Sequence, residues 1–301
     1  MPTPVNEAST ATRAPIPWAA LYELTKPRLS LLSVITALVG YLSALPERNL
    51  FLLLNFMIGT ALCAGGAATL NQWLEKDEDS IMDRTKMRPL PTGQVRMGLA
   101  LFLGITISII GSLQLWFGVN ALTGALGAAT IISYVAIYTP MKKRTRFATE
   151  VGAISGALPP LMGWAAAEGS ISGLGWILFA ILTFWQIPHF MAIAWTFRAD
   201  YEKAGFIMLS VIDKQGDRVA RWALINGVIL FIVSLLPVAF GFSGWLYAAF
   251  AMFFGAWILK HCVAFMNAEN RDATAKKLFF NSIFYLPAVL FSLVIDRWII
   301  G

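Results

Sequence analysis

Apolar residues in this chain fall into long, nearly unbroken runs, and polar residues are pushed to the junctions between them. Nine such runs lie near 29–45, 51–74, 97–116, 119–139, 150–167, 173–196, 223–241, 244–266 and 278–299. Each is close to the ~20 residues that the hydrocarbon core of a bilayer demands, although the first and fifth are short. In lipid every backbone polar group must be satisfied internally, so these runs predict helices. They are too apolar for the alternating strands of a barrel. The pattern therefore predicts an all-α polytopic membrane protein, a bundle of nine transmembrane helices. A polar tail over 1–20 precedes a single domain over 21–301.

Composition agrees: of 301 residues, 57% are hydrophobic and 13% charged, against roughly 25% charged in a soluble domain. The two cysteines, Cys63 and Cys262, sit in apolar runs and read as small core residues rather than a disulfide or metal pair. Residues 1–17 are rich in Pro, Ala and Thr, without the apolar core of a secretory signal or the arginines of an organellar transit peptide. That favours a bacterial inner membrane.

Charge distribution supplies orientation. Of 23 Lys and Arg residues, 21 lie in the N-terminal tail and in the loops near 75–96, 140–149, 197–222 and 260–277; only Arg48 and Arg297 lie on the other side. The positive-inside rule puts the first set, and the N-terminus, in the cytoplasm and the C-terminus outside. The cytoplasmic loops are long and the outer ones nearly absent, so functional residues are expected on the cytoplasmic face. Nothing in the pattern points to nucleic acid.

The densest charge is in Asn71-Gln-Trp-Leu-Glu-Lys-Asp-Glu-Asp-Ser80, at the end of the second run. Asn71, Glu75 and Asp79 are spaced i, i+4, i+8, one face of a helix, while Asp77 points elsewhere. Three oxygen-bearing side chains form an incomplete shell for a hard cation such as Mg²⁺, which completes its octahedron with water and substrate phosphate. Arg84, Lys86 and Arg88 follow, suited to phosphate oxygens. The bland alternative is a solvated loop. Asn71 and Glu75 weigh against it, because they belong to an apolar run where an ionised group costs roughly 2.5–3.5 kcal/mol.

The stretch Asn71, Glu75, Asp79, Arg84-Thr85, Arg88-Pro89-Leu90-Pro91 and Gly93 resembles the first Asp-rich motif of the UbiA-type membrane prenyltransferases. "LTKPRLSLL" (24–32), "YTPMKKRT" (138–145), "GALPPLMGWAA" (156–166), "WQIPHFMAIAW" (185–195) and "KKLFFNSIFYL" (276–286) resemble its haem-modifying branch. The resemblance spans roughly 20–290. It implies transfer of farnesyl from farnesyl diphosphate to a vinyl group of haem B, with Mg²⁺ bound alongside the diphosphate and haem B as substrate. It implies Asn71, Glu75 and Asp79 as metal ligands, and with Arg84 and Arg88 as the catalytic set. It further implies substrate contacts from Lys26, Arg28, Lys86, Tyr138, Lys142, Lys143, Arg144, Trp185, His189, Arg198, Asp200 and Tyr201. Haem A synthase or terminal oxidase assembly proteins are the partner class it suggests.

The loop after the sixth run departs from the superfamily's second Asp-x3-Asp motif. In register, Phe197 and Tyr201 occupy the aspartate positions and Asp200 is the nearest acid. Asp213-x3-Asp217 is a literal match in another register, interrupted by Gly216. His189 reads either as a packed helix histidine or as a haem contact flanked by Trp185 and Phe190. His261, beside Lys260, reads as an interface residue. Lys142, Lys143, Arg144 and Arg146 read either as positive-inside charges or as a clamp on diphosphate or propionates. Gly152-x3-Gly156 predicts close helix packing and Pro159-Pro160 a kink or break. Three other readings stay open: a quinone-precursor or chlorophyllide acceptor, a transporter, and a non-catalytic oxidase-assembly protein. A transporter's charges should lie near the centres of its spans, and here they cluster at the ends.

Overall fold

The structure, a computed structural model, describes residues 17–45 and 49–300. Arg13 and Arg48, which enter the orientation argument, lie outside them. The described residues fold into nine long helices. They are α1 (Pro27–Ser43), α2 (Leu50–Leu74), α3 (Met97–Gly118), α4 (Ala121–Met141), α5 (Ala148–Glu168), α6 (Gly173–Thr196), α7 (Asp217–Ala239), α8 (Trp245–Phe265) and α9 (Arg271–Ile300). Each coincides with one of the nine expected runs. Seven are long and apolar enough to cross a membrane; α1 has 17 residues, and α5 is rich in Gly, Ala and Pro.

Helix α5 lies inside the bundle, packed by α1, α4 and α6. Its composition follows from that position. Lipid supplies no hydrophobic drive between helices, so close approach of small residues must do the work. A Cβ on Gly163 would fall on the Ala37 carbonyl oxygen of α1, and one on Gly40 would fall on the Pro160 carbonyl of α5. Gly152 and Gly156 meet the Tyr138 ring and the Gln186 amide. Of the kink or break expected at Pro159-Pro160, a break does not occur: the helix runs on through both prolines.

Large apolar side chains point outward. Phe51 and Leu54 on α2, and Phe102, Ile109 and Leu113 on α3, are all exposed, which is the lipid-facing pattern. Around α6, which packs on α5, α7 and α9, a second core gathers Trp164, Ile181, Tyr247, Tyr285 and Leu293. Cys63 and Cys262 are free and buried, as expected.

The two ends of the bundle differ. At one end the connections are tight, and the buried Asp296 accepts from the Gly244 and Tyr247 amides at the start of α8. At the other end, the acidic loop after α2, the α4–α5 connection and the loop after α6 meet.

Candidate active site

At that loop-bearing end, α2 stops at Leu74 and a short helix, Lys76–Ile81, continues it. Glu75 sits at the joint with φ −100° and ψ 16°. The amides of Glu75 and Asp79 still bond to the carbonyls of Asn71 and Glu75, at 3.0 and 2.8 Å. The i, i+4, i+8 stripe therefore survives the joint. Asn71, Glu75 and Asp79 are all buried, at 1%, 6% and 0% exposure, while Asp77 is exposed.

Each member of the stripe faces a cation. Lys26 Nζ donates to Asn71 Oδ1 at 2.8 Å. Lys142 Nζ lies 2.7 Å from Glu75 Oε1. Arg88 Nη1 donates to both Asp79 oxygens, at 2.8 and 2.6 Å. Lys143 pairs with Glu78, a fourth buried acid. Burial, with Arg88 close by, pushes the Lys26 pKa down to about 7. Burial acts the same way on Lys142 and is the largest single influence, but the Glu75 carboxylate together with Tyr138 and Tyr134 outweighs it and holds that lysine's pKa above the ordinary range.

The chain positions these cations by specific local devices. Lys26 has a left-handed backbone, φ 46°, between the helix Trp18–Leu24 and Pro27, which aims its side chain back at α2. Lys142 follows a π-helical turn at Ser133–Tyr138 in α4. Such a widened turn often marks a functional site. Here it brings Thr139 under Asn71, whose Nδ2 donates to Thr139 Oγ1 at 3.1 Å. It also sets Lys142 Nζ 4.7 Å from the Tyr138 ring centroid. Arg88 is held by the turn before Pro89, with Thr85 Oγ1 donating to the Asp79 carbonyl at 2.9 Å.

The oxygens fit a hard cation. Amide and carboxylate are the donors Mg²⁺ prefers, and two carboxylates leave room for water and phosphate. Glu75 Oε1 is held by Lys142 at 2.7 Å, whereas Glu78 Oε2 is buried without a partner. Such unspent acceptor capacity suits a bound cation. Among the described residues no cluster of three His, Cys, Asp or Glu side chains occurs; the stripe supplies two carboxylates and an amide.

Other candidates lie further out. Arg84 donates to Tyr201 OH at 3.2 Å and stacks 4.9 Å from the Phe197 ring, so it joins the acidic loop to the loop after α6. Asp200 is half-buried, and Arg28 and Arg144 are exposed. Lys86 pairs with the exposed Asp83 at 2.7 Å. Arg198 turns away from the cluster, stacked 4.2 Å from the Trp195 ring and 3.1 Å from Asp272. Asp217 pairs with the buried Arg271, and Asp213 caps the start of α7, so the literal Asp213-x3-Asp217 match performs structural work.

Trp185 and His189 form a separate group against α9. His189 stacks on Trp185 at 4.8 Å and has Phe279 and Phe190 at 5.2 and 5.4 Å. Its Nδ1 is 2.7 Å from Ser282 Oγ, which is also within hydrogen-bond reach of the Phe279 carbonyl. With the Ser282 proton on the Phe279 carbonyl, His189 Nδ1 is the donor and Nε2 carries the lone pair; with it on Nδ1, the tautomer is the other. His261 bonds within its own helix, to the Trp257 carbonyl.

Two residues of the cluster lack a distinct sequence signal. Glu78 lies off the stripe in a loop full of charge, and Thr139 is one hydroxyl ending an apolar run.

Comparison with known proteins places this geometry in a family. Residues 33–283 match the UbiA prenyltransferase family. A protein of Opitutus terrae named protoheme IX farnesyltransferase is 52% identical over 91% of this chain and 93% of its own. One of the same name from Solibacter usitatus is 43% identical over 91% and 97%. Among solved structures, a digeranylgeranylglyceryl phosphate synthase aligns with TM-score 0.80 and 17% identity over 93% of this chain and 98% of its own. A UbiA homologue from Archaeoglobus fulgidus bound to DMAPP and Mg²⁺ aligns with TM-score 0.61 and 14% identity, over 91% and 99%. On the extent of the match and the identity to these relatives, the chain belongs to the UbiA prenyltransferase family.

Proposed function

We propose that this enzyme transfers the farnesyl group of farnesyl diphosphate to a vinyl group of haem B, giving haem O and diphosphate. The observation that carries the reading is the buried stripe Asn71–Glu75–Asp79 ringed by Lys26, Arg88 and Lys142. It sits in a chain 52% identical to a protoheme IX farnesyltransferase.

Asn71, Glu75 and Asp79 would hold Mg²⁺, which when bound neutralises the diphosphate and makes it a better leaving group. Lys26, Arg88 and Lys142 take the diphosphate oxygens, Arg88 and Lys142 exchanging their present carboxylate partners and Lys26 the Asn71 amide oxygen for phosphate. Arg84 spans the two loops above them. Ionisation breaks the C1–O bond of the farnesyl group, whose electron pair leaves with diphosphate. The terminal vinyl carbon of haem then bonds to farnesyl C1. Water adds to the resulting haem-side cation and loses a proton, leaving the hydroxyethylfarnesyl group. The apolar bundle keeps other water away from the allylic cation until the vinyl group attacks. His189, with Trp185 stacked beside it, is the haem-facing candidate, either at iron or at a propionate.

The expected topology places all nine helices across a bacterial inner membrane, the N-terminus and the active site in the cytoplasm and the C-terminus outside. Haem A synthase and oxidase-assembly proteins are the natural recipients of the product. Purified protein tests the reading. Diphosphate release from farnesyl diphosphate must require both haem B and Mg²⁺, and release unaffected by omitting haem would contradict the acceptor.

A further inference from the structure

The α4–α5 connection leaves the active site at Lys143 and continues into a different environment. Arg146 lies beside the start of α5, facing Arg218 and Arg221 on the first turns of α7. The three guanidiniums rim a cavity of about 290 Å³. All three are exposed, and among the described residues none lies within ion-pair distance of a carboxylate. Clusters of this kind at a membrane boundary attract anionic headgroups.

Glu150 and Trp222 line the floor of the cavity, with the Trp222 indole beside the Glu150 carboxyl. The three guanidiniums above them are the groups left for an anionic ligand. Below the rim the same face of α7 turns apolar. Ile225, Val228 and Ile232 follow Arg221 at helical spacing, and all three are exposed at 43%, 39% and 56%. Cations at the boundary, with an open apolar stripe running from them toward the membrane interior, match an amphiphile rather than a soluble anion.

We propose that this cleft is a binding site for an anionic glycerophospholipid. Its phosphate lies on Arg146, Arg218 and Arg221, and an acyl chain along Ile225–Val228–Ile232. The cleft is distinct from the carboxylate cluster but shares its connections. Arg146 is three residues from Lys143, and Leu209 of the cleft wall is two from Ile207, whose amide donates to the Lys142 carbonyl at 2.8 Å. A lipid seated here braces the segment that presents Lys142 and Lys143.

Native mass spectrometry of the full chain tests this, with titrations of phosphatidylglycerol, phosphatidylcholine and inorganic phosphate. The wild type should retain phosphatidylglycerol at least about tenfold more tightly than phosphatidylcholine, and R146A/R218A/R221A should lose that preference. Phosphate alone should form no adduct. Unchanged phosphatidylglycerol affinity in the triple variant, equal binding of phosphatidylcholine, or stable binding of free phosphate alone would each overturn the assignment. Should the triple variant not accumulate, Arg221→Gln and Ile232→Gln on the exposed face of α7 carry the same test. Both must weaken phosphatidylglycerol, and undiminished binding in both overturns it.

Discussion

Glu75 and Lys142 show how one pair of side chains ties stability to chemistry. Both are largely buried, at 8% and 13% side-chain exposure, and each compensates the other's charge. Deleting one member of such a pair costs about 3–5 kcal/mol, because the survivor is left buried and uncompensated. Lys142→Met should therefore lower the unfolding temperature in detergent more than the double variant Glu75→Gln/Lys142→Met, in which neither charge remains. Equal losses would show that the pair is not coupled. Asn71→Ala and Asp79→Ala should abolish farnesyl transfer while the protein still inserts at normal levels, and Asp77→Ala should be mild because its side chain points to solvent. His189→Ala should weaken haem binding and spare farnesyl diphosphate binding, read by absorption titration and by competition with labelled diphosphate. Full retention of haem in that variant would make His189 a packed residue only. The stripe was legible because i, i+4, i+8 spacing is a helical fact independent of tertiary structure. Glu78 and Thr139 were not, since their inward orientation depends on the joint at Glu75 and the π-turn of α4, neither of which has a compositional mark.

At the scale of elements, each apolar run corresponds to a long helix among the described residues, seven of them long and apolar enough to cross a membrane, because apolar runs in a membrane chain are continuous and bounded by charge. Hydropathy could not rank them by position in the bundle. Helix α5 is not among the seven helices apolar enough to cross a membrane, yet it is among the most enclosed, because small residues rather than large ones bring helices together in lipid. The α1–α5 contact is made by backbone meeting backbone at Gly40 and Gly163. Gly163→Leu should force these helices apart and destabilise the protein by roughly 1–3 kcal/mol, as overpacking does. A thermal unfolding series in detergent would read it, with Gly169→Ala as a comparison at an open position whose cost comes from its left-handed backbone instead. Pro159 and Pro160 do not end α5, which continues through them with neighbouring helices packed around it.

At the scale of the molecule, the basic asymmetry and the position of the site agree. The carboxylate stripe, its cations and the Arg146 cleft all lie at the end carrying the long charged loops. Reporter fusions at the two termini should place the N-terminus in the cytoplasm and the C-terminus outside; both on one side would require an even number of crossings. What the charge pattern could not reveal was pairing across the loops. Arg198 pairs with Asp272 at the start of α9, 74 residues away in the chain. The most direct test of the whole account is the mass of the haem product. Purified protein given haem B, farnesyl diphosphate and Mg²⁺ should yield haem carrying one hydroxyethylfarnesyl group, and removal of Mg²⁺ or the Asp79→Ala change should stop its formation. Unmodified haem B after complete incubation of active, folded protein, or farnesyl found on another acceptor, would contradict it.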